Sequence, residues 1–131
     1  KEAMLEAFEV NCVGPVLLVQ AMVPLLAGSE AIIAILSSKV GSVEDNGSGG
    51  GYAYRASKAA INICAKSLSI DLGGEATVVL LHPGYVRTDM TDGQGLIDAD
   101  ESVAGMLRAV EATDQLTPFR WVDYKAEIVP W

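Results

Sequence analysis

The chain has 131 residues, half of them hydrophobic and 20% charged, which suits one buried core of ordinary domain size and excludes a disordered chain. Seventeen acidic residues against nine basic ones give a formal net charge of −8, which argues against a nucleic-acid surface built on clustered Lys and Arg and against docking on an anionic membrane. No apolar run approaches about eighteen uninterrupted residues and no charged-then-apolar leader opens the chain, so neither a transmembrane helix nor a secretory signal is expected.

In chain order, residues 2 to about 26 read as a helix, because Leu5, Phe8, Cys12, Pro15/Val16 and Val19 recur at threes and fours. Pro24 and Gly28-Ser29 mark its end. Ala31 to Leu36 is an unbroken apolar run, the pattern of a strand buried on both faces of a parallel sheet. Residues 37 to 51, rich in Ser and Gly, form a loop. A second helix spans about Tyr52 to Leu72 and stops at Gly73-Gly74. Ala76 to Leu81 repeats the buried-strand pattern and ends at His82-Pro83-Gly84, a polar loop holds Thr88 to Gly95, and a third helix is predicted over Asp100 to Thr113. Phe119 to Trp131 alternates like a short terminal strand or hairpin.

Alternating helices and apolar strands imply an α/β domain over 1–131: a Rossmann-like parallel sheet covered by helices on both faces. Right-handed crossovers then bring the loops after both strands, with Ser37-Ser38 and Pro83-Gly84, to one sheet edge, where such folds bind ligands. Cys12 and Cys64 lie in apolar stretches without metal-ligand spacing and read as free thiols in a reducing compartment. The expected location is cytoplasmic, or an organelle matrix or stroma. Position 1 is Lys rather than Met, so the chain reads as a processed product or a piece of something longer.

The most informative residues are Tyr54 and Lys58, four apart at the start of a predicted helix and therefore on one face. A phenol near neutrality is a poor acid–base group, and a neighbouring ammonium favours its phenolate form. Tyr52 lacks this help, since Ala56 stands four residues beyond it.

Around this pair, Tyr-Arg-Ala-Ser-Lys-Ala-Ala, the upstream Ser-Ser-Lys-Val-Gly-Ser and the downstream Pro-Gly-Tyr-Val-Arg-Thr-Asp together resemble the short-chain dehydrogenase/reductase family. The long loop ending Ser-Gly-Gly-Gly-Tyr and the closing Pro-Trp resemble its small carbonyl-reductase branch, similar to sniffer and C-factor proteins. The resemblance implies an NAD- or NADP-dependent oxidoreductase that interconverts a small carbonyl and an alcohol, working as a homo-oligomer. Tyr54 is then the acid–base residue. Lys58 assists it and holds the nicotinamide ribose, Ser38 hydrogen-bonds the substrate oxygen, and Asn11 holds a relay water. Pro83, Gly84, Val86 and Thr88 match the segment that packs on the cofactor, joined there by Tyr54 and Lys58. No metal is implied.

Each position also admits a structural reading: Ser37 and Ser38 as turn residues, Asn11 as a buried polar group, Thr88-Asp89 as a helix cap. His82, the sole histidine, reads as structural, Asp71, Asp89 and Glu44-Asp45 as solvated charges, and Trp121, Tyr124 and Trp131 as core and subunit contact.

The sequence departs from the family in lacking a strand–Gly-rich turn–helix that would cradle a pyrophosphate. It matches only the C-terminal half of the doubly wound fold, without the N-terminal dinucleotide-binding half. Residues 32 to 36 are therefore expected to lie beside a strand this chain does not contain, and the chain alone to be poorly soluble or molten. A non-catalytic subunit or scaffold of a larger assembly is the alternative reading. Lys125-Ala126 is a weak turn signal, so the last hairpin is expected to be distorted or covered by a partner.

Overall fold

The computed structural model describes residues 1–26, 30–114 and 117–131. The helical N-terminal region is three consecutive pieces: α1 (Glu2–Phe8), a π-helical turn (Glu9–Val13) and α2 (Gly14–Leu26). The interruption has a cause in the sequence. Pro15 has no N–H to donate to the Asn11 carbonyl, and its ring crowds that carbonyl in a regular α-helix. The chain widens instead, and the Gly14 N–H reaches the carbonyl of Glu9, five residues back. Pro24 lies inside α2 and does not end it, while Gly28-Ser29 lie outside the described residues. Of the expected apolar stripe, Cys12 and Val19 are buried, but Leu5 is 59% exposed and Phe8 45%.

Strands β1 (Ala31–Leu36), β2 (Ala76–His82) and β3 (Arg120–Asp123) form one parallel sheet in the order β1-β2-β3. The register pairs Ala31 with Ala76, Leu36 with Leu81, and His82 with Asp123. Helix α3 (Tyr52–Asp71) and helix α4 (Ala99–Glu111) complete the architecture. Alternate side chains of the central strand enter opposite cores. Val78 and Leu80 join Cys12, Ile35, Ile61, Ala65, Trp121 and Val129 on the α3 side. Val79 and Leu81 join Ala109 and Val122 on the α4 side. Burying both faces is why β2 is apolar throughout, and a fully buried Leu such as Leu80 contributes about 2 kcal/mol.

The predicted hairpin forms only in part. β3 has four residues, and a single antiparallel bridge joins Val122 to Ile128. The turn between them places Ala126 at φ 64°, in the left-handed region, with the Asp123 carboxylate accepting the N–H groups of Lys125 (2.8 Å) and Glu127 (3.0 Å).

Among the described residues β1 pairs only with β2, so its outer edge is open. A groove of about 430 Å³ runs between α2 and β1, floored by Ile32 to Leu36 and walled by Leu18, Met22 and Leu26. Leu25, 77% exposed, stands on the same helix. One sequence expectation needs correcting here. The run Glu2–Leu26 is long and apolar enough to cross a membrane by length and composition alone, with an 18-residue stretch of mean hydropathy 1.6. Glu2, Glu6, Glu9, Asn11 and Gln20 interrupt the apolar run and lower the mean, yet the many Leu and Val residues keep it high.

Candidate active site

The C-terminal ends of β1 and β2 open into a cleft of about 450 Å³. Its walls include Ser38, Tyr54, Pro83, Gly84, Val86 and Thr88, with Met90, Val103 and Met106 supplying apolar surface. Six of the sequence-nominated residues thus meet in one cavity although they come from three separate segments. Lys58 and Asn11 do not line it.

Ser37 and Ser38 both border the cleft but hold different partners. Ser37 is buried, extends the sheet by donating its N–H to the Leu81 carbonyl (2.8 Å), and donates its hydroxyl to Asn62 Oδ1 on α3. Ser38 ends the strand as the cap of a short 3-10 turn, Lys39–Gly41, accepting the Val40 N–H at 3.4 Å while facing the cleft. The turn lies hard against α3. A Cβ on Gly41 would stand 2.8 Å from the Lys58 carbonyl carbon and 2.9 Å from the Ala59 nitrogen, so only glycine lets Ser38 come this close to the Tyr54–Lys58 helix.

Helix α3 presents Tyr54 and Lys58 together. Lys58 Nζ stands 5.7 Å from the centre of the Tyr54 ring and donates to the Leu36 carbonyl at 3.4 Å. Burial lowers the Lys58 pKa from its ordinary value, because an ammonium half-removed from water loses hydration. Arg55 holds the approach loops. Its guanidinium donates to the Val40 carbonyl (3.0 Å) and to Ser48 Oγ (2.9 Å), tying the Ser38 turn and the glycine-rich loop to α3.

Asn11 reaches α3 through Ser57, a residue the sequence reading did not single out. Asn11 Nδ2 donates to Ser57 Oγ (3.0 Å), and the buried Ser57 hydroxyl donates to the Tyr54 carbonyl (2.8 Å). The signal available was Ser57 next to Lys58, one turn from Tyr54.

On the far wall, Ser102 of α4 donates to the Pro83 carbonyl (2.6 Å), and Gly84 adopts φ 87°. A side chain at Gly84 would also meet Ile97 and Tyr124 at 2.9 Å. Val86 bridges to Ile97. Thr88 starts the 3-10 turn Asp89–Thr91, its N–H donating to Thr91 Oγ1 (3.0 Å), so the cap geometry and the cleft position coexist. His82 accepts the Lys39 N–H on Nδ1 (3.3 Å). Burial lowers its pKa and Lys39 adds to that, against the opposing pull of Asp123 and Asp45. Among the described residues no three metal-ligating side chains come together.

A parallel sheet with helices on both faces and a Ser, Tyr and Lys gathered at its C-terminal edge defines a Rossmann-like α/β protein of the dehydrogenase type. The short chain dehydrogenase family model matches residues 1–96, and the chain belongs to that family of oxidoreductases. It is 42% identical over 130 residues to C-signal of Myxococcus xanthus, covering 98% of this chain and 78% of that protein. It is 40% identical over 115 residues to 1-hydroxy-2-glutathionyl-2-methyl-3-butene dehydrogenase of Rhodococcus sp. (strain AD45), covering 84% of this chain and 49% of the relative. Among solved structures it matches the carbonyl reductase Sniffer of D. melanogaster with a TM-score of 0.93 and 32% identity, over all of this chain and 58% of that one. The NADPH-bound carbonyl reductase from chicken fatty liver matches with a TM-score of 0.89 and 31% identity, over 99% of this chain and 57% of that one. C-signal apart, the chain thus spans about half the length of these relatives.

Proposed function

We propose that this chain is the catalytic and substrate-side half of an NAD(P)-dependent short-chain reductase that interconverts a small carbonyl and an alcohol. The observation that carries the reading is the Lys58 ammonium facing the Tyr54 ring beside a cleft that also holds Ser38. The cleft fits the nicotinamide end of such a cofactor, since it is walled by Pro83, Gly84 and Val86 beside the apolar Met90, Val103 and Met106. Among the described residues no glycine-rich turn leads directly from a strand into a helix, since the 3-10 turn Lys39–Gly41 separates β1 from the glycine-rich loop before α3, so in this reading further polypeptide supplies the phosphate cradle and covers the open edge of β1. That relatives run to about twice the matched length supports it.

The nicotinamide, when bound, supplies or accepts the hydride. Tyr54 gives its phenolic proton to the carbonyl oxygen, and Ser38 donates a hydrogen bond to the same oxygen, steadying its developing charge. Lys58 stabilises the phenolate left behind and reaches the nicotinamide ribose. Asn11, in the π turn, holds the water that returns the proton. Thr88 bonds the carboxamide and phosphate region. Exposed apolar side chains on α1 and α3, among them Leu5, Phe8 and Ile63, bury against a second copy.

Tyr54→Phe in the full-length protein tests this. Carbonyl reduction should fall by about 10²–10⁴-fold with NADPH binding, read by tryptophan quenching, nearly intact. Equal turnover in both proteins removes Tyr54 from the role. The missing phosphate cradle favours a second reading, a non-catalytic subunit of a larger assembly. Failure of the full-length protein to bind either NADH or NADPH would select it.

A further inference from the structure

Cys12 and Cys64 are 52 residues apart in sequence, yet their sulfur atoms lie 3.8 Å apart, in van der Waals contact between the π turn and α3. Both are free thiols, Cys12 2% exposed and Cys64 half-buried. The elements they join carry the candidate site. Cys12 follows Asn11, and Cys64 lies on the helix of Tyr54, Ser57 and Lys58. A disulfide needs its sulfurs about 2 Å apart, a closure of roughly 2 Å that side-chain rotation and a small shift of the widened turn can supply.

We propose that Cys12 and Cys64 form a reversible disulfide that locks the Asn11 turn onto α3, making this contact a peroxide- or disulfide-sensitive clamp. The two thiols differ in exposure, Cys12 being the more deeply buried. Burial, reinforced by the adjacent Cys64, pushes the Cys12 thiol up to about 11, so it is protonated and shielded at neutral pH. Cys64 is the more accessible of the two, so oxidant enters there. The Cys64 thiolate attacks a peroxide, breaking the O–O bond, leaving Cys64 as a sulfenic acid and releasing hydroxide. Cys12 sulfur then attacks the sulfenic sulfur. The S–O bond breaks, water leaves with the Cys12 proton, and the S–S bond forms. In balance, one peroxide is reduced to two waters and two thiols are oxidised. Proximity offsets the weak thiolate character of Cys12 in the second step. A small-molecule thiol reverses the reaction by exchange.

The test uses the full-length protein treated with stoichiometric hydrogen peroxide, alkylated, digested and mapped without reduction. The expected product is one pair of peptides joined through Cys12 and Cys64, lighter by two hydrogens and separated by dithiothreitol. Cys12→Ser should leave Cys64 as a sulfenic acid that dimedone captures, and in Cys64→Ser the Cys12 thiol should survive the same dose. Amide exchange over residues 9–13 should slow in the oxidised wild type. Dimedone capture at Cys64 equal in wild type and Cys12→Ser, or both thiols still alkylated after peroxide, would overturn the proposal. So would a stable glutathione adduct on Cys64 with Cys12 free after equilibration in a glutathione redox buffer. None of these readouts needs substrate or cofactor, so they stand apart from the reductase reading.

Discussion

Lys58 Nζ lies 5.7 Å from the Tyr54 ring centre and donates to the Leu36 carbonyl at the end of β1 (3.4 Å). One side chain therefore links the helix that carries the phenol to the strand that leads into Ser38. It does so at a cost: the ammonium is partly desolvated, and the partner found for it is a neutral carbonyl rather than a carboxylate. A charge held in a poor environment next to a phenol is what acid–base function asks for and what stability does not.

Replacing Lys58 with Met should separate the two. Turnover should fall by about 10²-fold or more, while stability at neutral pH rises. The pKa of Lys58 is lower in the folded state than its ordinary 10.5, so between those values the unfolded chain binds the extra proton. Stability then increases as pH climbs through that window, and the full penalty applies below it. Urea midpoints of the full-length protein near neutrality and about pH 10 should converge for wild type and Lys58→Met as pH rises. A constant gap would mean that Lys58 burial carries no penalty.

The element order, the parallel sheet and the placing of Ser38 and Pro83-Gly84 at one edge were legible because each rests on local pattern, apolar runs, helical spacing and turn residues, while Tyr54 was brought to that site by the family resemblance. Contacts across elements were not. Nothing local says that Arg55 clamps Val40 and Ser48, or that the first of two adjacent serines binds Asn62 while the second caps the 3-10 turn. The expected stripe on the first helix failed at Leu5 and Phe8 for a physical reason. Periodicity reports which residues want burial, and the covering surface is not present among the described residues.

Gly41→Ala should disturb the site from outside the cleft. The added methyl meets the Lys58 and Ala59 backbone at 2.8–2.9 Å, and backbone cannot rotate aside, so the Ser38 turn must move off α3. A loss of about 1–3 kcal/mol in stability is expected, together with a drop in kcat larger than any change in cofactor binding. Unaltered kcat would show that Ser38 tolerates the displacement.

Ala126→Gly should stabilise the protein. Ala126 sits at φ 64°, where an L side chain costs roughly 1 kcal/mol that glycine does not. The greater freedom of glycine in the unfolded chain offsets part of this gain, leaving a rise of a few tenths to about 1 kcal/mol. Activity should be unchanged, because the turn is anchored by Asp123 backbone and carboxylate contacts that a Gly preserves. A lower denaturation midpoint would show that the turn rearranges.

His82 sets the acid limit of the Ser38 turn. Its Nδ1 accepts the Lys39 N–H, which requires that nitrogen to be unprotonated. Burial, with Lys39 adding to it, holds the folded-state pKa below the ordinary 6.5 despite Asp123 and Asp45. As pH falls through the window beneath 6.5, the unfolded chain takes up a proton that the folded one refuses, so stability declines until the folded pKa is passed and is constant below it. His82→Gln keeps an amide oxygen as a neutral acceptor and removes the titration. Denaturation midpoints measured from about pH 7.5 down to about pH 5 should fall more steeply for wild type than for His82→Gln, with the two curves parallel above the window. Parallel curves throughout would detach His82 from the acid response and leave the carboxylates of the chain to account for it.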